Sequence, residues 1–431
     1  MKRKTAIKIL ILLIVIIVGI FFYFTFFNDK EESGGEVVLP DQPSSNFFPT
    51  TEDFDPELED EDEPINNNNR ISTISKLRQI SDNPVAGFSI FDKTSTTSNI
   101  LVTENNNDLI NPEKVTVYRF VNKSNGNIFE TTSRTSSLKR ITNNTIPKVQ
   151  NVFFSNDGNN VIFRYLDDYN SIVSYFSKII MDNNSTTTQT GEGNFAELSS
   201  IFLPTNIDNI NITDLGLVSY TNNSITGTNG VIFDLKTPEN QNISFDSKLS
   251  EIKTEWFSDN SILIGTKPSN ISDGLVFEYN LDTQKTEKIL GGGTGFNFIS
   301  DYNNNKIIFS ELSGSEIKSY SYNKETNETN DLNLNTIVSD KCAWSNLYEN
   351  IIYCAVPSSK IGFGYPTLWY QGRVSFNDKL YKIDTESGLK LEITGLLDNN
   401  FDITKIQVSE DDEYIVFVNK KDLTLWSLDI K

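Results

Sequence analysis

The chain has 431 residues, with 37 Lys and Arg against 58 Asp and Glu, and a formal net charge of −21. A protein that tracks nucleic-acid phosphates needs a basic stripe, so nucleic acid is not an expected partner. There is no His, which excludes Ser-His-Asp and Cys-His catalysis and His-ligated zinc within this chain; neither a metal nor a cofactor is expected.

The N-terminus bears on compartment. Lys2, Arg3, Lys4 and Lys8 precede an uncharged run from Ile9 to Phe27. As a helix that run would be about 28 Å long, close to a hydrocarbon core of about 30 Å. Phe21, Phe22, Tyr23, Phe24, Phe26 and Phe27 crowd its far end, where aromatics suit the membrane interface. Basic residues stay inside. The expectation is a cytoplasmic tail at 1–8, a transmembrane signal anchor at 9–27, and everything beyond it outside the cytoplasmic (inner) membrane. A cleaved signal peptide competes with this reading, but its apolar region is usually about 7–15 residues long and ends at a small-residue site. Residues 25–35 offer no such site. Residues 28–70 read as a disordered acidic linker: Glu52 to Glu63 holds nine carboxylates in twelve positions, followed by Pro64 and Asn66–Asn69.

From residue 71 the pattern is β throughout. Short runs rich in Ile, Val, Phe and Tyr alternate with turns rich in Asn, of which the chain has 51. The runs repeat. Val152–Phe163 is the clearest copy: a strand ending in Ser, a polar turn, then a more apolar strand. Trp256–Ile264, Phe298–Phe309, Ala343–Tyr353 and Gln407–Phe417 repeat it. Each copy is a hairpin signature. With the hydroxyl residue as a ruler, Ser89, Ser155, Thr213, Ser258, Ser300, Ser345 and Ser409 mark seven units. A third and fourth strand follow each hairpin, as at Phe277–Lys285 and at Tyr381–Gly388 before Leu389–Ile393. Four strands per repeat is the layout of a propeller blade.

The Phe-Ser-x-Asp-Gly-x-x-Ile-x-Phe type of repeat, best kept at Phe154–Phe163, resembles the WD40-like repeat of TolB-type β-propellers, over most of 84–431. The layout of span, acidic stalk and ring also resembles anchored propeller proteins of small-genome bacteria. The resemblance implies a fold and carries no activity with it. The fold expected for 71–431 is an all-β, seven-bladed β-propeller, with six or eight blades left open by the weak first and third units. The last unit, Ile406–Ile430, has only three strands, and Ile71–Ile80 is placed to supply the fourth and close the ring.

Cys342 and Cys354 fall on the two strands of one hairpin, where antiparallel pairing would set them opposite one another. A disulfide is expected, with two buried thiols as the alternative. Gly291–Gly295 lacks the Lys-Ser/Thr of a phosphate loop and reads as a tight connection between blades. Asp301–Asn305 puts oxygens at calcium-loop positions 1, 3 and 5, but Lys306 and Leu312 replace the required Gly and Glu, so it reads as a hairpin turn.

The richest segment is Ile361–Phe376, an insertion between the second and third strands of the sixth unit. Long insertions in compact folds are often functional. Phe363, Tyr365, Trp369, Tyr370 and Arg373 are residue types enriched at binding hot spots. The same aromatics could instead cover the blade or plug the channel mouth. The function expected is non-catalytic binding of a protein or an envelope polymer on the outer face, with the membrane engaged through 9–27. The alternative is a carboxylate-based glycan hydrolase or lyase, which a cluster of Asp, Glu and Arg at the channel mouth would favour. A structural ring that self-associates through the span is a third reading.

Overall fold

The structure is a computed structural model. It describes residues 76–94, 114–180, 195–213, 216–301, 305–362, 364–396 and 400–431, all within one compact unit, 71–431. The expected tail, span and linker lie outside the described residues. Among the described residues, no helix is long and apolar enough to cross a membrane.

Those residues form seven four-stranded antiparallel sheets. Six are built from consecutive strands. Their first strands are Val85–Thr94, Val149–Phe154, Ile207–Ile212, Ile252–Ser258, Asn297–Asp301 and Cys342–Trp344. The seventh begins at Ile403–Val408 and is completed from the other end of the chain, where Leu77–Gln79 pairs with Leu425–Asp429 in the register Leu77↔Leu428, Arg78↔Ser427, Gln79↔Trp426. The ring is a seven-bladed propeller, and the N-terminal strand closes it.

All seven hydroxyl markers fall on or just after a first strand, and their chemistry explains their recurrence. Ser and Thr oxygens accept local backbone N–H groups and so stabilise turns. Ser155 Oγ accepts from Asn160 N at 3.0 Å, Thr213 Oγ1 from Leu217 N at 3.0 Å, Ser345 Oγ from Tyr348 N at 2.8 Å and Ser409 Oγ from Tyr414 N at 2.9 Å. Ser89 and Ser300 differ. Ser89 sits mid-strand opposite Arg119, and its hydroxyl donates across to Ser155 O in the next blade; Ser300 Oγ donates to Trp256 O of the preceding blade at 2.9 Å. The Asp-Gly of the clearest repeat is also accounted for: Gly158 has φ +67°, and a Cβ there would strike the Phe91 ring of the preceding blade.

One hydrophobic core lies between each pair of neighbouring blades. Ala86, Val121 and Ile128 pack against Val152, Val161 and Phe163 between blades 1 and 2. The pattern continues around the ring to Phe88, Tyr118 and Phe120 against Val416, Val418 and Leu425, which joins blade 1 to blade 7. Each blade is therefore stabilised chiefly by its neighbours, as in other repeat folds.

Cys342 and Cys354 pair in register and form a disulfide. Gly291–Gly293 belong to the outer strand of blade 4 rather than to a connection. The missing side chain of Gly292 makes room for the Phe296 ring and for the Glu311 carboxylate, which accepts from Gly293 N at 2.6 Å. Only Gly295 and Phe296 separate that strand from blade 5.

Candidate functional site

Two features share one end of the ring: the blade 6 insertion and the mouth of the central channel. The insertion runs from Ser358 to Asn377 between the strands Ile351–Pro357 and Asp378–Asp384, and folds around the short helix Thr367–Tyr370. The aromatics divide by location. Tyr365 (2 % exposed) and Trp369 (1 %) are buried in a small core with Ile317, Ile337 and Phe376. Tyr370 is 41 % exposed and Arg373 is exposed. Phe363 lies outside the described residues. Burial makes Tyr365 and Trp369 anchors of the insertion. Tyr370 and Arg373 are what it offers to solvent.

A buried charge centre holds the anchor in place. Trp369 donates its indole N–H to both oxygens of Asp402, at 3.0 and 3.1 Å. Asp402 also accepts from Lys341 Nζ at 2.8 Å, Ser375 Oγ at 3.0 Å and Phe376 N at 3.1 Å. Lys341 Nζ reaches Asp378 at 2.5 Å as well, and the side chains of all three charged residues have no exposure. Lys341 and Lys420 both stand over the Trp369 ring, at 5.0 and 4.6 Å. Burial raises the pKa of every carboxyl, but the outcomes differ. Lys341 and the surrounding donors outweigh burial at Asp402 and hold it below the usual range. At Asp378 burial wins over Lys341, and the carboxyl is raised. The insertion reaches other blades too: Thr367 Oγ1 donates to Asn270 Oδ1 of blade 4 at 2.9 Å. Tyr370 OH donates to Asp340 at 2.6 Å and lies 3.2 Å from Ser339 Oγ. Ser339 also lines the channel.

The channel encloses about 1050 Å³. First strands of blades 1, 2, 3, 6 and 7 wall it, and Phe153, Phe154, Trp344, Asn346 and Gln407 are among its residues. A propeller's first strands carry a free inner edge, and unpaired backbone groups there need partners. Side chains of neighbouring blades supply them. Asn209 and Asn211 donate to Ile252 O and Thr254 O at 2.5 and 2.7 Å, Lys253 to Phe298 O at 2.8 Å, Asn346 to Val408 O at 3.0 Å, and Lys405 to Ala86 O at 3.3 Å. Asn209 and Lys405 both have positive φ and sit at bulges of their first strands. The bulge turns each side chain toward the next blade. Desolvation, with Lys123 nearby, pushes the Lys405 amine down to about 8.

Carboxylates gather at the hairpin-side mouth, where Asp92, Asp157 and Glu410 line the channel. Asp157 is engaged: burial would raise it, but hydrogen bonds from Ser155 and Asn159 hold it below the usual range. Asp92 is raised by burial and by Glu410 and Asp411. Lys114 lies 4.0 Å from Asp92 and 3.7 Å from Glu410. Among the described residues, no group of three His, Cys, Asp or Glu is placed to hold a metal ion.

The Lys341–Asp378–Asp402 centre and the Lys405 tether escaped the sequence reading. Lys341 stands alone beside Cys342, and its partners follow 37 and 61 residues later. The tethers leave a faint signal, since Asn209, Asn211 and Lys253 reach acceptors 43 to 45 residues on, one blade length.

No protein-family model matches the chain, and none of the curated proteins does. Solved structures are similar in fold. The β-propeller domain of the Trilobed protease from Pyrococcus furiosus shares 15 % identity, covering 74 % of this chain and 92 % of that one, at a TM-score of 0.47. Oligogalacturonate lyase from Vibrio parahaemolyticus shares 10 % identity over 80 % of this chain and 99 % of its own, at 0.46. TolB from Acinetobacter baumannii shares 11 % over 64 % of this chain and 62 % of its own, at 0.41. These are likenesses of fold at low identity; the seven-bladed ring is read from the chain's own sheets.

Proposed function

We propose that this chain is a single-pass protein of the cytoplasmic membrane, anchored through 9–27, whose propeller stands outside and binds a protein or an envelope polymer without catalysis. The observation that carries the binding reading is the channel: about 1050 Å³ of space walled largely by aromatic, aliphatic and carboxamide side chains. Pockets of that kind hold ligands by contact area and a few oriented polar groups. The insertion adds Tyr370, 3.2 Å from the channel residue Ser339, and the exposed Arg373, both types favoured at binding hot spots. The anchor rests on the basic cluster and the apolar run described above.

The test is in-cell crosslinking and pull-down of the full chain, run beside a variant carrying Tyr370→Ser and Arg373→Ser. A stoichiometric partner that the variant loses is expected. Recovery of the same partner at the same yield from the variant would remove the insertion from the binding surface. Protease digestion of intact cells checks the orientation, and a propeller protected until lysis would refute an external location.

A second reading, carboxylate-based cleavage of a glycan, has one observation in its favour. Asp92, raised by burial, and Glu410 both line the channel mouth and share Lys114. Two carboxyls in contrasting environments are what general acid–base hydrolysis uses. End-labelled oligosaccharides that shorten with the parent protein but not with Asp92→Asn would establish it.

A further inference from the structure

We propose that Lys341 and Asp378 join in an intramolecular amide bond that the folded chain makes by itself, with Asp402 as the proton carrier. The bond is independent of what the channel holds.

Placement comes first. Lys341 Nζ lies 2.5 Å from Asp378 Oδ2, so the carboxyl carbon, one bond further on, is within reach of a near-attack geometry. The side chains of Lys341, Asp378 and Asp402 have no exposure. Lys341 Nζ stands over the Trp369 ring, which packs with Tyr365 and Phe376. An amide formed in such a site is kept from the water that would hydrolyse it.

The two carboxyls differ in the way the chemistry needs. Burial raises Asp378 in spite of Lys341, which favours the neutral acid, the form a nitrogen attacks. Burial pulls Asp402 the same way, but Lys341 and the surrounding donors outweigh it and hold the carboxyl below the usual range. Titratable groups held apart like this divide acid and base roles. Asp402 Oδ1 accepts from the same Nζ at 2.8 Å and is placed to take its protons.

One oxygen stands out. Asp378 Oδ1 is buried without a hydrogen-bond partner, while Oδ2 accepts from Ile403 N at 2.6 Å as well as from Lys341. A buried polar atom without a partner calls for an explanation, and here it is the atom that the step removes. The Lys341 nitrogen attacks Asp378 Cγ and the N–Cγ bond forms. Charge gathers on Oδ2, where the Ile403 N–H meets it. The Cγ–Oδ1 bond then breaks. Counted from the ion pair, two of the three ammonium protons pass by way of Asp402 to Oδ1, which departs as water. The third stays on the amide nitrogen, and Asp402 ends as it began. The step needs no oxidant or second substrate. The ion pair described above is the state before it. The bond would tie residues 37 positions apart and fasten the base of the blade 6 insertion to the lead into that blade.

The experiment is the intact mass of the purified full chain after disulfide reduction, followed by peptide mapping. The parent is expected to be one water lighter than its sequence, with a branched peptide joining Lys341 to Asp378 and no tryptic cleavage after Lys341. Asp402→Asn keeps both reacting groups and is expected at full mass, without the branched peptide. Asp378→Asn is expected to make the same bond with loss of ammonia in place of water. A parent still at full mass after prolonged incubation would overturn the proposal. So would a lost water that maps to a succinimide, as at Asp157–Gly158, rather than to Lys341. A branched peptide that forms equally fast in Asp402→Asn would overturn the role of Asp402.

Discussion

Replacing Lys341 with Met tests what fixes the blade 6 insertion. Lys341 is fully buried and bonded to Asp378, Asp402 and Ile403 O. Met has similar bulk and no charge, so the substitution leaves Asp402 ionised in an enclosed site with only neutral donors beside it: Trp369, Ser375 and Phe376 N. Breaking a buried ion pair from one side costs about 3–5 kcal/mol, because the abandoned charge has no compensation. At roughly 2 °C per kcal/mol for a large domain, the melting temperature should fall by about 6–10 °C. Guanidinium unfolding should report the same loss, and Trp369 should become accessible to acrylamide quenching. The double variant Lys341→Met, Asp402→Asn removes both charges and should lose less than the sum of the single changes. The parent has a pH dependence with a definite sign. Asp402 is held below its unfolded pKa, so its contribution is complete above about pH 4 and is lost as pH falls through the folded value. A Lys341→Met protein within about 1 kcal/mol of the parent, or strictly additive losses in the double variant, would refute the reasoning.

Three further outcomes are expected. Deleting residues 71–82 removes the strand that pairs with Leu425–Asp429 and should lower the melting temperature of the whole ring; a variant melting within a degree of the parent refutes closure as a source of stability. Reducing Cys342–Cys354, which are 12 positions apart, should cost about 2–3 kcal/mol in chemical unfolding, the loop-closure value for a short loop. Lys405, pushed down to about 8 in the folded ring, binds fewer protons folded than unfolded between that value and the ordinary lysine range. Stability should therefore rise with pH across that window. Lys405→Asn, the residue type that makes the equivalent tether at Asn209, should abolish the rise, and an unchanged pH profile would count against the assignment.

The ring was legible because most repeats use the same local chemistry. A hydroxyl that catches an N–H group of its own hairpin leaves a mark in five of the seven blades, even at Thr213, where the rest of the motif has decayed. Closure was legible from simple counting of strands in the last unit. The bulges at Asn209 and Lys405 were not, since no Gly marks their positive φ. The insertion could be seen as an insertion, yet nothing in Tyr365 or Trp369 by itself says which way an aromatic points. That depended on Asp402, 33 residues beyond Trp369, placed to accept its indole N–H. Gly291–Gly293 read as a connection because glycine runs usually are; here they lie within a strand, and Gly292 makes room for Phe296.

The seventh blade has a consequence for how the protein is made. Ser81 accepts from Leu425 N across 344 positions, so the N-terminal strand of the ring must wait for a partner made 344 positions later. Until then blade 7 has no outer strand and blade 1 has no neighbour on one side. The nascent chain carries open edges until that partner emerges, and such edges invite mispairing. Only pairing of Leu77–Gln79 with Leu425–Asp429 covers them. A chain that stops short of Leu425–Asp429 leaves the edge of Leu77–Gln79 unpaired and blade 1 without its blade 7 neighbour.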